Sequence, residues 1–157
     1  MSARAQELAR RLDEANAELA RAIEACSDDF WGSTCPEEGW AVGVTAHHVA
    51  ASHPQVAGLV QLIATGQPLP PLTVDMLNQG NAEHARVAAG CTREETLRLL
   101  RENGPAASRL IAGLSDEQLD RSAQMFMGTM SAEALIEGAM IGHAIGHLAS
   151  MNAAVPA

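Results

Sequence analysis

The first 26 residues, MSARAQELARRLDEANAELARAIEAC, constrain the fold more than any other stretch. Leu8, Leu12, Ala15, Leu19 and Ala22 or Ile23 recur at helical intervals, and Arg and Glu fill most of the positions between them. Such spacing gathers the apolar side chains on one stripe of an α-helix and the charges on the opposite face. The helix is predicted from about Ser2 to Cys26. Isolated helices draw little stability from their own backbone, so the stripe must be covered by other elements of the chain.

The partners are legible downstream. AVGVTAHHVAASHPQVAGLVQLIATG predicts a second helix ending near Thr65, kinked at Pro54, with Gly66 just past its end. Val44, His48, Ala51, Gln55, Leu59, Leu62 and Ile63 share what should be its inner face. QPLPPL reads as a crossover, and VDMLNQGNAEHARVAAG as a shorter helix closed by Gly90. Thr92 and Glu95, at capping-box spacing, open a third main helix bent at Gly104-Pro105. Leu97, Leu100, Ala107, Leu110 (or Ile111) and Leu114 form its inner face. Ser115 to Asp120 reads as a capped helical turn, and 121–129 as a loop carrying Met125, Phe126 and Met127. Ser131 caps a last helix running to about Asn152. Four main helices and one long connection read as an all-α four-helix bundle, a single domain over 1–157 with a crossover between helices 2 and 3.

Composition agrees and narrows the function. Aromatic residues are 3% of the chain, with no Tyr, which disfavours a β-sandwich. The net charge of −9, with no Lys and scattered Arg, would repel a nucleic acid or an anionic membrane. No apolar run approaches the roughly 20 residues of a membrane span. The charged N-terminus does not resemble a signal peptide, and Cys26, Cys35 and Cys91 form no CxxC pair. A cytoplasmic protein with reduced thiols is expected.

The chemistry concentrates in histidines. GHAIGH puts His143 and His147 four apart on the apolar stripe of the last helix, with Ala132, Ile136 and Met140 (or Ala139). Side chains at that spacing are neighbours, so both imidazoles can reach one metal ion. The residue after His143 is Ala, which removes the base of an HExxH protease. Of the adjacent His47 and His48, the stripe through Val44, Ala51 and Gln55 turns His48 inward. A bundle packing helix 2 beside the last helix then gathers three imidazoles. The other reading, buried neutral histidines bonded to backbone carbonyls, is common in cores. His53 and His84 read as surface or loop positions.

The loop motif GWAVGVTAHHVA, the mid-chain VDMLNQGNAEH and the C-terminal GTMSAEALIEGAMIGHAIGH resemble the DinB-like superfamily, which includes YfiT-type and mycothiol-dependent maleylpyruvate isomerase-type proteins. The resemblance spans nearly the whole chain. It implies an up-down-down-up bundle, usually a homodimer, that binds zinc or nickel through His48, His143 and His147. Some relatives carry a carboxylate where this chain has His143. The resemblance also implies a low-molecular-weight thiol cosubstrate, hence a thiol S-transferase or isomerase acting on a small-molecule ligand. A non-catalytic, stress-related bundle that binds a metal or small ligand, and a plain bundle with internally bonded histidines, stay open beside it.

Trp40, Asn81, Glu83 and Met127 are the candidate substrate-pocket residues: Trp40 and Met127 as walls, Asn81 and Glu83 as polar groups of the crossover helix. An exposed polar face accounts for Asn81 and Glu83 equally well, and core filling for the methionines. Gly138, Gly142 and Gly146 form a smooth strip that suits close packing within the bundle or across a dimer.

Overall fold

A computed structural model describes residues 2–154; Met1 and 155–157, the ends of the expected domain, lie outside the described residues. The helices are α1 (Ala3–Ala25), α2 (Asp28–Trp31), α3 (Val42–Thr65), α4 (Val74–Val87), α5 (Arg93–Ala112), α6 (Asp116–Asp120), α7 (Ala132–Ile136) and α8 (His143–Asn152). A π-helical turn, Glu137–Gly142, joins α7 and α8 into one rod. Ser2 caps α1 by accepting from the Ala5 N–H, and Gly66 ends α3 in the left-handed conformation at φ 70°. Both α3 and α5 continue through their internal prolines, Pro54 and Pro105.

Long-range contacts fix the helix directions. Gln6 donates to the Ala112 carbonyl (3.1 Å) and Ser108 to Asp13 (2.5 Å), so α1 and α5 run antiparallel. Asn103 on α5 donates to the Ala50 carbonyl (2.9 Å), and Arg121, in the chain that continues past the end of α5, to the Ala64 carbonyl at the end of α3 (2.8 Å), so α3 and α5 run the same way. Arg4 pairs with Glu133, and Arg11 with Glu137 (2.7 Å), which sets the last rod parallel to α1. The bundle is therefore up-down-down-up. Two successive helices pointing the same way need a return path, and the segment carrying α4 provides it.

The core lies in two clusters. Leu8, Leu12, Val60, Ile63, Ile111 and Ile136 belong to one; Leu19, Ile23, Val42, Val49, Leu100 and Met151 belong to the other. His53 stands in the same interior, 1% exposed, where it hydrogen-bonds Asn16 Oδ1 at 2.8 Å. It is not a surface residue, as its place in the sequence suggested. Gly104 makes room for this pair: a Cβ there would lie 2.8 Å from Asn16 Nδ2.

Three further expectations change. The 121–129 loop is a hairpin, β1 (Ser122–Met125) against β2 (Gly128–Ser131), turning at Phe126 and Met127. Its turn lacks the Asn-Gly or Asp-Gly signature that marks tight hairpins, although Gly128 supplies a positive φ of 114°. The stripe of α3 expected to face the core is only partly buried. The buried side runs through Val42, Val49, Ala50, His53, Ala57 and Val60. Since α3 is apolar around most of its circumference, periodicity alone could not select the face. Finally, a Cβ on Gly138 or Gly146 would meet nothing within 4 Å among the described residues, so these two glycines of the strip are not packed against them.

Candidate metal centre

The last rod and α3 bring the histidines together. His48, His143 and His147 each offer one ring nitrogen, and these atoms lie within 4.8 Å of one another. His48 Nε2 is 3.1 Å from His143 Nε2. The His143 and His147 ring centroids are 4.4 Å apart, with the rings near perpendicular at 87°. The π turn helps to set this arrangement. It carries the buried stripe from Met140 to Ala144 and Met151, which leaves His143 and His147 half-buried on the shoulder of the core rather than in it. Gly142 closes that turn, where a Cβ would sit 3.0 Å from the Glu137 carbonyl oxygen.

His147 is held from behind. Its Nδ1–H donates to Glu38 Oε1 at 2.6 Å, and the Ser150 hydroxyl donates to Glu38 Oε2 at 2.5 Å. The Glu38 side chain is 9% exposed. Burial alone would raise its carboxyl, but the bonds from Ser150 and His147 outweigh that and hold it below the usual carboxylate range. A carboxylate only accepts hydrogen bonds, so the His147 nitrogen facing it, Nδ1, carries a proton, and in the neutral tautomer Nε2 presents the lone pair. Glu38 comes from the loop before α3 and sits in CPEEGW, where no spacing pattern singles it out.

Burial and the neighbouring His147 push His48 down to about 4, and burial with His147 and His48 pushes His143 to about 3. Both rings are neutral at pH 7 and keep a lone pair available. Two facing Nε2 atoms can share at most one proton between neutral rings. Three imidazoles converging on one point match the donor set of a divalent ion. Nitrogens bound to a tetrahedral zinc at about 2.05 Å stand about 3.3 Å apart, close to the His48–His143 separation. His143 Nδ1 has no hydrogen-bond partner among the described residues.

The pocket candidates are placed unequally. Trp40 stands edge-on to His48, ring centroids 5.3 Å apart. Asn81 lines a cavity of about 850 Å³ between α3 and α4 that reaches His48 and His84. Glu83 lies outside that lining, exposed and paired with Arg86 at 2.6 Å. Met127, 69% exposed at the hairpin tip, is not brought there either. Its neighbours Met125 and Phe126 line a separate cavity of about 300 Å³. His84 does belong here: its Nε2 is 3.3 Å from His47 Nδ1, and its ring is 5.2 Å from that of His48. Trp31 stays with the core, donating from Nε1 to the Cys91 carbonyl at 2.9 Å.

No helix of the described chain is long and apolar enough to cross a membrane. The three cysteines are free, and burial raises each thiol above its ordinary range.

Solved structures share the fold, two of them as follows. YfiT from Bacillus subtilis, described as a probable metal-dependent hydrolase with an unusual four-helix bundle topology, superposes with a TM-score of 0.77 at 21% identity, over 94% of this chain and 83% of that one. The mycothiol-dependent maleylpyruvate isomerase gives 0.74 at 15% identity, over 97% of this chain. This chain spans 62% of that enzyme's length. No curated protein matches the chain in sequence. Residues 11–151 match the DinB superfamily, and with the topology and histidine cluster already described, the chain belongs to that superfamily.

Proposed function

We propose that the protein is a metal-dependent enzyme that activates a low-molecular-weight thiol toward a small electrophile, by S-transfer or thiol-assisted isomerisation. His48, His143 and His147 hold the ion, zinc or nickel. The observation that carries this reading is the convergence of the three ligand atoms within 4.8 Å, one of them on a ring braced by a half-buried carboxylate. A divalent ion bound by three imidazoles and open on its remaining side supplies Lewis acidity that lowers the pKa of an incoming thiol or water.

The chain's own residues do the rest. Glu38 and Ser150 hold His147 in the tautomer that presents Nε2. Trp40 and His84 both stand edge-on to the His48 ring, 5.3 and 5.2 Å between centroids, and limit its tilt. The depressed basicity of His48 and His143 keeps protons from competing for their lone pairs near neutral pH. The thiol reading draws on the activity named for the isomerase of the same fold.

Protein purified without a histidine tag should carry about one zinc or nickel per chain, and His48→Ala should lose it. Thiol consumption with an electrophilic acceptor is then followed before and after metal removal. Turnover that persists after the metal is stripped would defeat the enzymatic reading.

A further inference from the structure

The cavity between α3 and α4 has two features that packing does not explain. Gly58 on α3 and Gly80 on α4 both line it, and a Cβ on either would meet nothing within 4 Å among the described residues. Glycine weakens a helix interior, so it usually marks a close approach or a sharp turn. Neither applies at these two positions. Both sit in mid-helix, line the cavity and have free space in front of them.

The second feature is charge. The protein carries a net charge of −9, yet among the described residues lining this cavity none is Asp, Glu, Lys or Arg. Leu59, Leu62, Leu72, Met76 and Leu77 make the apolar wall. Ser52, Gln55 and Asn81 offer neutral hydrogen-bonding groups. The cavity follows α3 from His48 to Leu62, a path of about 20 Å at the helical rise per residue. Its volume, about 850 Å³, falls in the range of small-molecule sites.

We infer that this groove binds a small uncharged molecule with an apolar body, lying along α3 with one end at His48, and that Gly58 and Gly80 are specificity-determining because they keep the channel open. A carboxylate or ammonium group inside it would lose hydration and find no counter-charge. The neutral amides of Gln55 and Asn81 suit a carbonyl, hydroxyl or ester instead. This rests on the metal-site reading only for what happens at the imidazole end.

The test uses Nile red, an uncharged fluorescent probe, displaced by 1-decanol, decanoate or decyltrimethylammonium, on metal-stripped and zinc-loaded protein. One saturable site is expected in both forms, with decanol displacing the probe at least tenfold more tightly than either charged amphiphile. Gly58→Leu and Gly80→Leu should each weaken probe binding at least tenfold without changing zinc uptake. Ala106→Leu, on the exposed side of α5, should change neither. If a leucine variant does not fold, Gly58→Ala and Gly80→Ala take its place, with a smaller loss in the same direction. Equal displacement by the charged amphiphiles, or unchanged binding in the glycine variants, overturns the inference. Loss of zinc uptake alone removes the metal reading and leaves the groove; absence of probe binding in zinc-loaded protein removes the groove alone.

Discussion

Glu38 Oε1 lies 2.6 Å from His147 Nδ1, joining the loop before α3 to the last helix across 109 residues of sequence. Carboxylates placed behind a ligating imidazole fix its tautomer and raise its basicity. Glu38→Gln keeps an acceptor for His147 but loses the charge. It should weaken zinc binding roughly tenfold, and Glu38→Ala up to about a hundredfold, with unchanged far-UV circular dichroism. Calorimetric titration with zinc reads this directly. Equal affinities across the three proteins would remove Glu38 from the site.

The glycines of the last rod should separate sharply. Gly142→Ala pushes a methyl against the Glu137 carbonyl oxygen, so it should destabilise the π turn and weaken zinc binding by displacing His143. Gly138→Ala and Gly146→Ala meet open space and should raise stability by up to about 1 kcal/mol each. Urea denaturation of the three variants checks the order. Destabilisation by Gly138→Ala or Gly146→Ala would show that another surface covers the strip in solution.

Gly43→Ala should be costly, since its Cβ would fall 2.5 Å from the Trp31 ring. The indole would have to leave its bond to the Cys91 carbonyl. A loss of about 1–3 kcal/mol is expected for overpacking of this kind. With Trp40→Phe as background, the remaining indole emission reports the move of Trp31.

Acid should unfold the protein in part through His53. Burial lowers its pKa from 6.5 to about 4, so the folded state takes up this proton later than the unfolded chain does. The associated stability is complete above 6.5 and is lost as pH falls through 4, a loss of about 3 kcal/mol for this group. Replacing both Asn16 and His53 by Leu should remove that share of the pH dependence. Denaturation midpoints between pH 7 and 4 measure it, and identical slopes in both proteins would assign the acid sensitivity elsewhere.

Local pattern carried most of the architecture. The stripe of α1, the Gly66 stop and the serine and threonine caps all depend on near neighbours, and each appears where the pattern puts it. The convergence of His48 with the 143/147 pair was legible because an i,i+4 spacing needs only one further ring on a facing helix. Glu38 was not, since its role depends on a contact between distant segments and its neighbours form no motif. His53 and His84 were misplaced for the same reason: on a helix as uniformly apolar as α3, or as exposed as α4, burial is decided by what packs against it. The π turn shifted the histidines relative to the core by inserting a residue that a constant helical period does not contain.

No residue of α4 is buried, although it forms the outer wall above His48. Substitutions along this crossover can therefore reshape what the protein accepts while the clusters that hold the bundle together stay untouched. Drift in ligand preference among such proteins should concentrate here, at little expense in folding.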